Sequence, residues 1–186
     1  MKNKRTNTKL ILGAAALLFL FIRARKSNNG NTTTMPVTEE NIKEAFKKIF
    51  DEFGREKTQR LEQLFRWETS HFRSGQFKGT NSPGMEPSPN GNKVFPYGWT
   101  SLKNFATAYN IPSTSFFISG PYTEGGTSKQ KFFVGFPNVY TAMLFVMYVI
   151  SRRGWNFGKW RAFDAAISND YNNKLNTVIP RITNTF

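Results

Sequence analysis

Apolar residues recur at helical spacing in the segment 58–72 (TQRLEQLFRWETSHF). Its apolar stripe, at positions i, i+3, i+4 and i+11, consists of Leu61, Leu64, Phe65 and Phe72. Glu68 falls at i+7 on this same stripe. The spacing therefore predicts an amphipathic helix with one carboxylate on the face that turns toward the core or a cleft wall.

Further segments follow a helical pattern. Thr38 is placed to cap a helix over 39–53, with two acids in its first turn and Gly54 after its end. The segment 139–150 (VYTAMLFVMYVI) is apolar on all sides, which favours a central core helix over a second membrane segment. Helices are also predicted over 99–109 and around 159–171.

Non-helical patterns occupy the middle of the chain. Short apolar runs at 116–118 and 131–136 surround a Gly-rich loop and predict a β-hairpin. The segment 73–97 is rich in Gly, Pro, Asn and Ser and is predicted to be mostly loop. The predicted fold class is mainly α with one small hairpin.

The N-terminal region differs from the rest. Residues 10–22 (LILGAAALLFLFI) are apolar and uncharged, and Lys9 and Arg23 bound them. We expect a single membrane helix over residues 9–23 whose basic ends reach the lipid headgroups; a cleaved signal peptide and a surface-lying helix are the alternatives. The expected organisation is an anchor over 1–26, a polar linker over 27–37 and one domain over 38–186.

Charge and composition narrow the function classes. The 186 residues contain 26 Lys and Arg against 12 Asp and Glu, a net charge of +14, and seven of the basic residues lie in the acid-free stretch 1–30. Residues 31–186 still carry 19 basic against 12 acidic residues, a net charge of +7. A moderately basic domain suits a polyanion or an anionic surface such as nucleic acid, lipid headgroups or bacterial cell wall. The absence of Cys excludes disulfides and Cys nucleophiles, and His71 is the only His, so neither a metal site nor a cofactor is predicted.

The position of Glu68 has a chemical consequence. A carboxylate facing a water-poor region has its pKa raised, because burial disfavours the ionised form. A carboxylic acid that stays protonated near neutral pH can donate a proton to the leaving oxygen of a glycosidic bond. The alternative is a buried Glu satisfied by an Arg or a backbone amide.

The residues from Glu68 onward (ETSHFRS, then GQFKGTNSPGME) resemble the glucosaminidase family of bacterial cell-wall hydrolases, within the lysozyme-like superfamily. In that family a helix ends in a catalytic Glu, with a Ser six residues later and then an Asn- and Gly-containing loop. Here Ser74 keeps the spacing, and Asn81 and Gly84 follow the loop pattern. The resemblance spans about residues 55–150 and implies a lysozyme-like helical domain with Glu68 as general acid.

The same resemblance implies a substrate-binding region around this loop. Ser74, Asn81 and Gly84 are expected there, with Gly84 allowing a turn that other residues resist. Asn81 is a candidate for binding an N-acetyl group or for bridging loop and helix, and a turn-forming role is equally open. Tyr97 and Tyr122 are candidates for stacking on sugar faces or for packing in the core.

A second carboxylate would separate two reaction types. Glu124, in the Gly-rich segment PYTEGGTS, is the preferred candidate for activating water, and Glu86 is the alternative. A lytic transglycosylase needs only the acid, because a hydroxyl of the substrate attacks and an anhydro sugar forms.

These observations predict a membrane-anchored hydrolase that cleaves the β-1,4 bonds of peptidoglycan glycan strands. Its domain would face the cell wall, in a bacterial envelope or in a virion that carries a membrane. Lytic transglycosylase activity, or a non-enzymatic anchored protein that binds or assembles through its basic surface, are the alternatives. No specific nucleic acid is expected as a partner, because basic charge alone is weak evidence for one.

Overall fold

Two helices begin the part of the chain that this computed structural model describes, which comprises residues 35–86, 98–123 and 128–186. Helix α1 spans Glu39–Phe53, and the Thr38 side chain accepts a hydrogen bond from the Asn41 amide at its start. Helix α2 spans Arg55–Glu68. Gly54 separates them with φ of +81°, a conformation that glycine adopts without steric cost. Both predicted helices are present. Helix α2 begins about one turn earlier than expected and ends at Glu68, so Phe72, which the predicted stripe included, lies outside it with φ of +68°.

The apolar segment 139–150 forms the centre of the core. Helix α5 spans Val139–Ser151, and ten of its 13 residues are buried. Asn138 caps it by accepting a hydrogen bond from the Thr141 amide at 2.8 Å. Helices α1 and α2 and the helix α4 (Gly98–Ala108) pack against α5. The prediction of a core helix is thus confirmed.

The predicted hairpin is also present. Strands β1 (Phe117–Thr123) and β2 (Gln130–Gly135) pair antiparallel, with Phe117 opposite Gly135 and Thr123 opposite Gln130. The Val134 amide donates a hydrogen bond of 2.7 Å to the Met85 carbonyl, which ties β2 to the segment 81–86. The domain is therefore mainly helical with one small sheet.

The structure adds one helix that was not predicted and moves the start of another. Helix α3 (Gly75–Thr80) lies in the segment predicted as loop, where the Ser74 hydroxyl caps it by accepting from the Phe77 amide. The last helix, α6, spans Ala165–Asn176 instead of starting near residue 159, because the Asp164 carboxylate caps the chain there. Residues Phe157–Trp160 form a separate 3₁₀ turn. Capping by a single side chain decided each boundary.

The predicted membrane anchor lies outside the described residues. Within 35–86, 98–123 and 128–186, no helix has both the length and the apolar character needed to cross a bilayer. The anchor over 1–26 and the start of the linker over 27–37 thus stay predictions.

Gly158 is a close-packing position between the 3₁₀ turn and α6. A Cβ built at Gly158 would lie 2.1 Å from the Ser168 carbonyl oxygen, which is backbone and cannot turn aside. We expect Gly158→Ala to destabilise the fold by about 1–3 kcal/mol, as overpacked sites do. Urea unfolding measures this loss. Gly75→Ala is the matched control, since its Cβ would meet nothing within 4 Å, and an equal loss in both variants would contradict the packing argument.

Candidate active site

Glu68 is the last residue of α2, and its side chain is half-buried. Leu61, Leu64 and Phe65, its neighbours on the predicted stripe, are fully buried. The Tyr171 hydroxyl, on α6, donates a hydrogen bond to Glu68 Oε1. Arg161, which follows the 3₁₀ turn Phe157–Trp160, adds a positive charge nearby. Glu68 therefore occupies the edge of the core, where α2 meets α6 and the 3₁₀ turn.

The surroundings of Glu68 favour its protonated form. Burial raises the pKa of the Glu68 carboxyl above its usual value, and this effect exceeds the lowering by the Tyr171 hydrogen bond and the Arg161 charge. The C-terminal end of a helix carries a partial negative charge, which acts in the same direction as burial. A half-buried acid with a raised pKa is suited to donating a proton.

A chain of hydrogen bonds holds α6 and the 3₁₀ turn against α2. Arg60, on α2, donates to Asn172 Oδ1 at 3.0 Å, and Asn172 Nδ2 donates to Asn156 Oδ1 at 2.9 Å. Asn156 Oδ1 also accepts from the Gly158 amide at 3.0 Å. Tyr171 lies on α6, and Arg161 directly follows the 3₁₀ turn. These hydrogen bonds therefore help to fix both residues relative to Glu68.

The backbone after Glu68 is strained. Ser70, His71 and Phe72 have φ of +50°, +58° and +68°, a left-handed conformation that costs a residue with a side chain about 1–2 kcal/mol. Buried Thr69 stabilises this turn, because its hydroxyl accepts from the Phe72 amide at 2.9 Å and its carbonyl accepts from the Ser74 amide at 3.0 Å. The turn reverses the chain at once, and Glu68 is therefore not covered by a further helical turn.

The loop residues taken from the family pattern have structural contacts. Ser74 caps α3, and Asn81 ends it in a left-handed conformation with φ of +60°. Asn81 is buried, and its Nδ2 donates to the Phe136 carbonyl at 2.9 Å, which bridges the loop to the end of β2. Gly84 has φ of +93°, as its predicted turn role requires. These contacts shape the loop, and substrate binding by the three residues stays a prediction.

Tyr122 contacts α3 from the hairpin. Its hydroxyl lies 2.8 Å from Ser119 Oγ, and a Cβ at Gly79 would come within 1.9 Å of the same hydroxyl oxygen. Tyr122 therefore packs on Gly79, which fits the packing alternative, and its ring stays partly accessible. Tyr97, the other predicted stacking residue, lies outside the described residues.

Of the two candidates for a second carboxylate, the structure describes only Glu86. Glu124 falls in the segment 124–127, outside the described residues. Glu86 pairs with Lys131 on β2, at 2.7 Å between Oε1 and Nζ. Within the described residues, the groups that act on the Glu68 carboxyl are a phenol and a guanidinium. The same residues contain no group of His, Asp and Glu side chains that could hold a metal ion.

A second buried carboxylate on α2 escaped the sequence analysis. Glu62 is fully buried, and its two oxygens accept hydrogen bonds of 2.8–2.9 Å from the amides of Arg181, Ile182 and Thr183. Its Oε1 also pairs with Arg66 Nε at 2.6 Å. Burial alone would raise the pKa of Glu62, but the hydrogen bonds from residues 181–183 outweigh it and lower the pKa. Glu62 is thus a structural carboxylate that stays ionised, in contrast to Glu68.

The sequence analysis did not identify Tyr171 and Arg161 as partners of Glu68, because no nearby sequence pattern marks them. Tyr171 lies 103 residues from Glu68 in the chain. Its position on the inner face of the last helix was visible in the sequence only as one more apolar residue. Arg161 was one of many basic residues. Only their contact with Glu68 distinguishes them.

The Tyr171 hydrogen bond gives a testable effect on Glu68. Removing it with Tyr171→Phe removes a lowering influence, so we expect the pKa of Glu68 to rise further above its usual value. A carbon-13 NMR titration of the Glu68 carboxyl measures this shift. Tyr122→Phe is the matched control, because its hydroxyl contacts Ser119 instead, and it should leave the titration in place. An unchanged or lower pKa in Tyr171→Phe would show that the bond does not favour the ionised form.

Comparisons of the chain with protein-family models, with curated proteins and with solved structures find no match.

Proposed function

We propose that this protein is a membrane-anchored peptidoglycan hydrolase with a lysozyme-like catalytic domain. Glu68 acts as the general acid: it donates its proton to the leaving oxygen of a β-1,4 glycosidic bond in the glycan strand. The observation that carries this proposal is a half-buried carboxyl with a raised pKa at the end of a helix, hydrogen-bonded by Tyr171. General acid catalysis of this kind contributes about 10²–10⁴-fold to the rate.

The exposure and the hydrogen-bond partner of the Glu68 carboxyl support a catalytic role over a structural one. Glu62 represents the structural case, since it is fully buried, paired with an Arg and saturated by hydrogen bonds. Glu68 differs in each respect, because it is partly accessible and accepts its hydrogen bond from a neutral phenol. A partly accessible carboxyl whose pKa is raised, at the end of α2 and just before the strained turn 70–72, suits proton donation better than structural pairing.

A zymogram with the full chain on purified bacterial cell walls tests the proposal. We expect a cleared band at the mass of the protein, 21.3 kDa. A folded protein that clears no wall preparation, over a pH range that spans the protonation of Glu68, would refute hydrolysis and favour the non-enzymatic alternative.

One observation favours a second candidate, a lytic transglycosylase. The described neighbours of Glu68 supply no second carboxylate to activate water. A transglycosylase needs none, because the substrate's own hydroxyl attacks. Mass spectrometry of digested peptidoglycan separates the two, since hydrolysis leaves reducing-end sugars and transglycosylation leaves anhydro ends. Loss of rate in Glu124→Gln together with reducing ends would assign Glu124 as the base of a hydrolase.

The anchor over residues 9–23 places this activity at a membrane. We expect the protein to stay with the membrane fraction through washes with high salt and alkali. Release by salt would instead indicate adsorption through the basic N-terminal residues, because screening weakens such contacts.

A further inference from the structure

The hairpin of β1 and β2 packs on the domain through one of its two faces. On this inner face, Tyr122 packs on Gly79 of α3, and the Tyr122 and Phe133 rings lie 6.0 Å apart. A Cβ at Gly84 would meet the Phe133 ring at 3.9 Å. Successive side chains of a strand point to opposite sides, so the residues that alternate with these form the outer face of the hairpin.

The outer face carries an exposed apolar platform, which consists of Ile118, Gly120 and Phe132. The register pairs Ile118 with Val134, two residues from Phe132 on the same face, so Ile118 and Phe132 are diagonal neighbours. Phe132 lies directly against Gly120, since a Cβ at Gly120 would come within 3.1 Å of the Phe132 ring. Ile118 is 45% exposed and Phe132 is 48% exposed. The register and this contact place all three residues on one surface.

The polar groups beside the platform are uncharged. Thr123 lies opposite Gln130, the next outer position of β2, and the Gln130 amide donates to Thr123 Oγ1 at 3.3 Å. No outer position of β1 or β2 holds a charged residue, and Lys131, on the inner face, pairs with Glu86. This face is therefore neutral in a chain whose net charge is +14. It lacks the basic side chains that attract acidic ligands and anionic lipid headgroups.

The size of the platform limits what it can bind. A stable contact between two protein chains buries about 800 Å² on each partner. A whole aromatic side chain buries about 150–250 Å², so two half-exposed side chains around a glycine offer much less than such a contact needs. The platform thus fits a small, neutral ligand unit better than a second copy of the chain.

We propose that this platform binds one sugar ring of a β-1,4-linked glycan strand, as a second contact besides the site at Glu68. The C–H groups on the face of a pyranose carry a partial positive charge and the face of an aromatic ring is negative, so a sugar and the Phe132 ring attract each other. Gln130 and Thr123 supply donor and acceptor groups for sugar hydroxyls. The identity of the glycan rests on the proposed function, in which a second contact holds the enzyme on the wall between cleavage events.

Binding of immobilised glycan strands, freed of their peptides by an amidase, tests the platform. The parent for this assay is the full chain in detergent micelles carrying Glu68→Gln, so that no strand is cleaved. We expect Phe132→Ser to raise the dissociation constant about three- to tenfold, because it removes the burial of a half-exposed aromatic side chain. Phe163→Ser is the matched control, since this 65% exposed ring lies outside the hairpin beside Arg153, and it should bind like the parent.

Two further exchanges separate a sugar from other occupants of the platform. Phe132→Tyr keeps the ring and should bind like the parent, whereas Phe132→Leu keeps apolar area without a ring and should bind as weakly as Phe132→Ser. This pair decides the question if Phe132→Ser fails to fold, which circular dichroism shows. Equal binding by the Tyr and Leu variants, or a parent that binds no strand, would overturn the inference, while wall lysis by the protein with Glu68 intact would leave the proposed function standing. Ring-dependent binding without wall lysis would support the platform and refute the hydrolase.

Discussion

Glu68→Gln is expected to abolish cell-wall lysis while the fold stays intact. Glutamine keeps the size of the side chain, and its amide oxygen still accepts the hydrogen bond from Tyr171. It has no proton to give to the leaving oxygen, so the rate should fall by about 10²–10⁴-fold. Thermal stability should be equal or higher, since a neutral amide avoids the cost of ionising a partly buried acid. Turbidity loss of a wall suspension measures the rate, and a melting curve measures the stability.

Glu56→Gln provides the control for this result. Glu56 is an exposed carboxylate in the first turn of the same helix, so its exchange removes the same charge far from the site. It should leave the rate unchanged. Lysis by Glu68→Gln at the rate of the parent protein would remove the general acid from the mechanism. A loss of rate that comes with unfolding would reassign Glu68 to a structural role.

Glu62→Gln is expected to cause the largest loss of stability. The exchange leaves the buried Arg66 without its counter-charge and replaces one acceptor oxygen by an amide donor that faces the amides of residues 181–183. Breaking a buried pair by removing one partner costs about 3–5 kcal/mol, a large part of the roughly 5–15 kcal/mol that stabilises a domain. Urea unfolding measures the difference. Glu44→Gln, at an exposed pair with Lys48, should cost less than about 1 kcal/mol.

The same exchange has a defined pH dependence. The pKa of Glu62 is lowered in the folded state, so its stabilising contribution is complete above the unfolded value, near 4.5, and is lost as the pH falls through the lower folded value. The stability difference between the parent protein and Glu62→Gln should therefore shrink below pH 4.5. A difference that stays constant into strong acid would mean that Glu62 is not ionised in the folded protein.

The pattern of neighbouring residues was sufficient to predict most of the helices and the hairpin. Thr38, Gly54 and the apolar stripe of α1 are signals within one helix, so the boundaries of that helix followed from neighbouring residues. The all-apolar run of α5 could be satisfied only by burial on every side. The missed helix α3 and the late start of α6 depended on caps by Ser74 and Asp164, and such caps compete with the loop-forming residues around them.

The sequence by itself placed Glu68 on the inward face of a helix, because helical periodicity is a local property of α2. The periodicity did not place the end of that helix, since the predicted stripe continued to Phe72. Nothing in the sequence indicated that Glu62, which lies off the apolar stripe of the same helix, is also buried. Tertiary structure decided between them. The segment 181–183 saturates Glu62 with hydrogen bonds and keeps it ionised, whereas Glu68 receives one phenol from α6 and stays partly accessible. The amides that saturate Glu62 lie 119 to 121 residues away in the chain, and Tyr171 lies 103 residues from Glu68. No local pattern reports a contact at that separation.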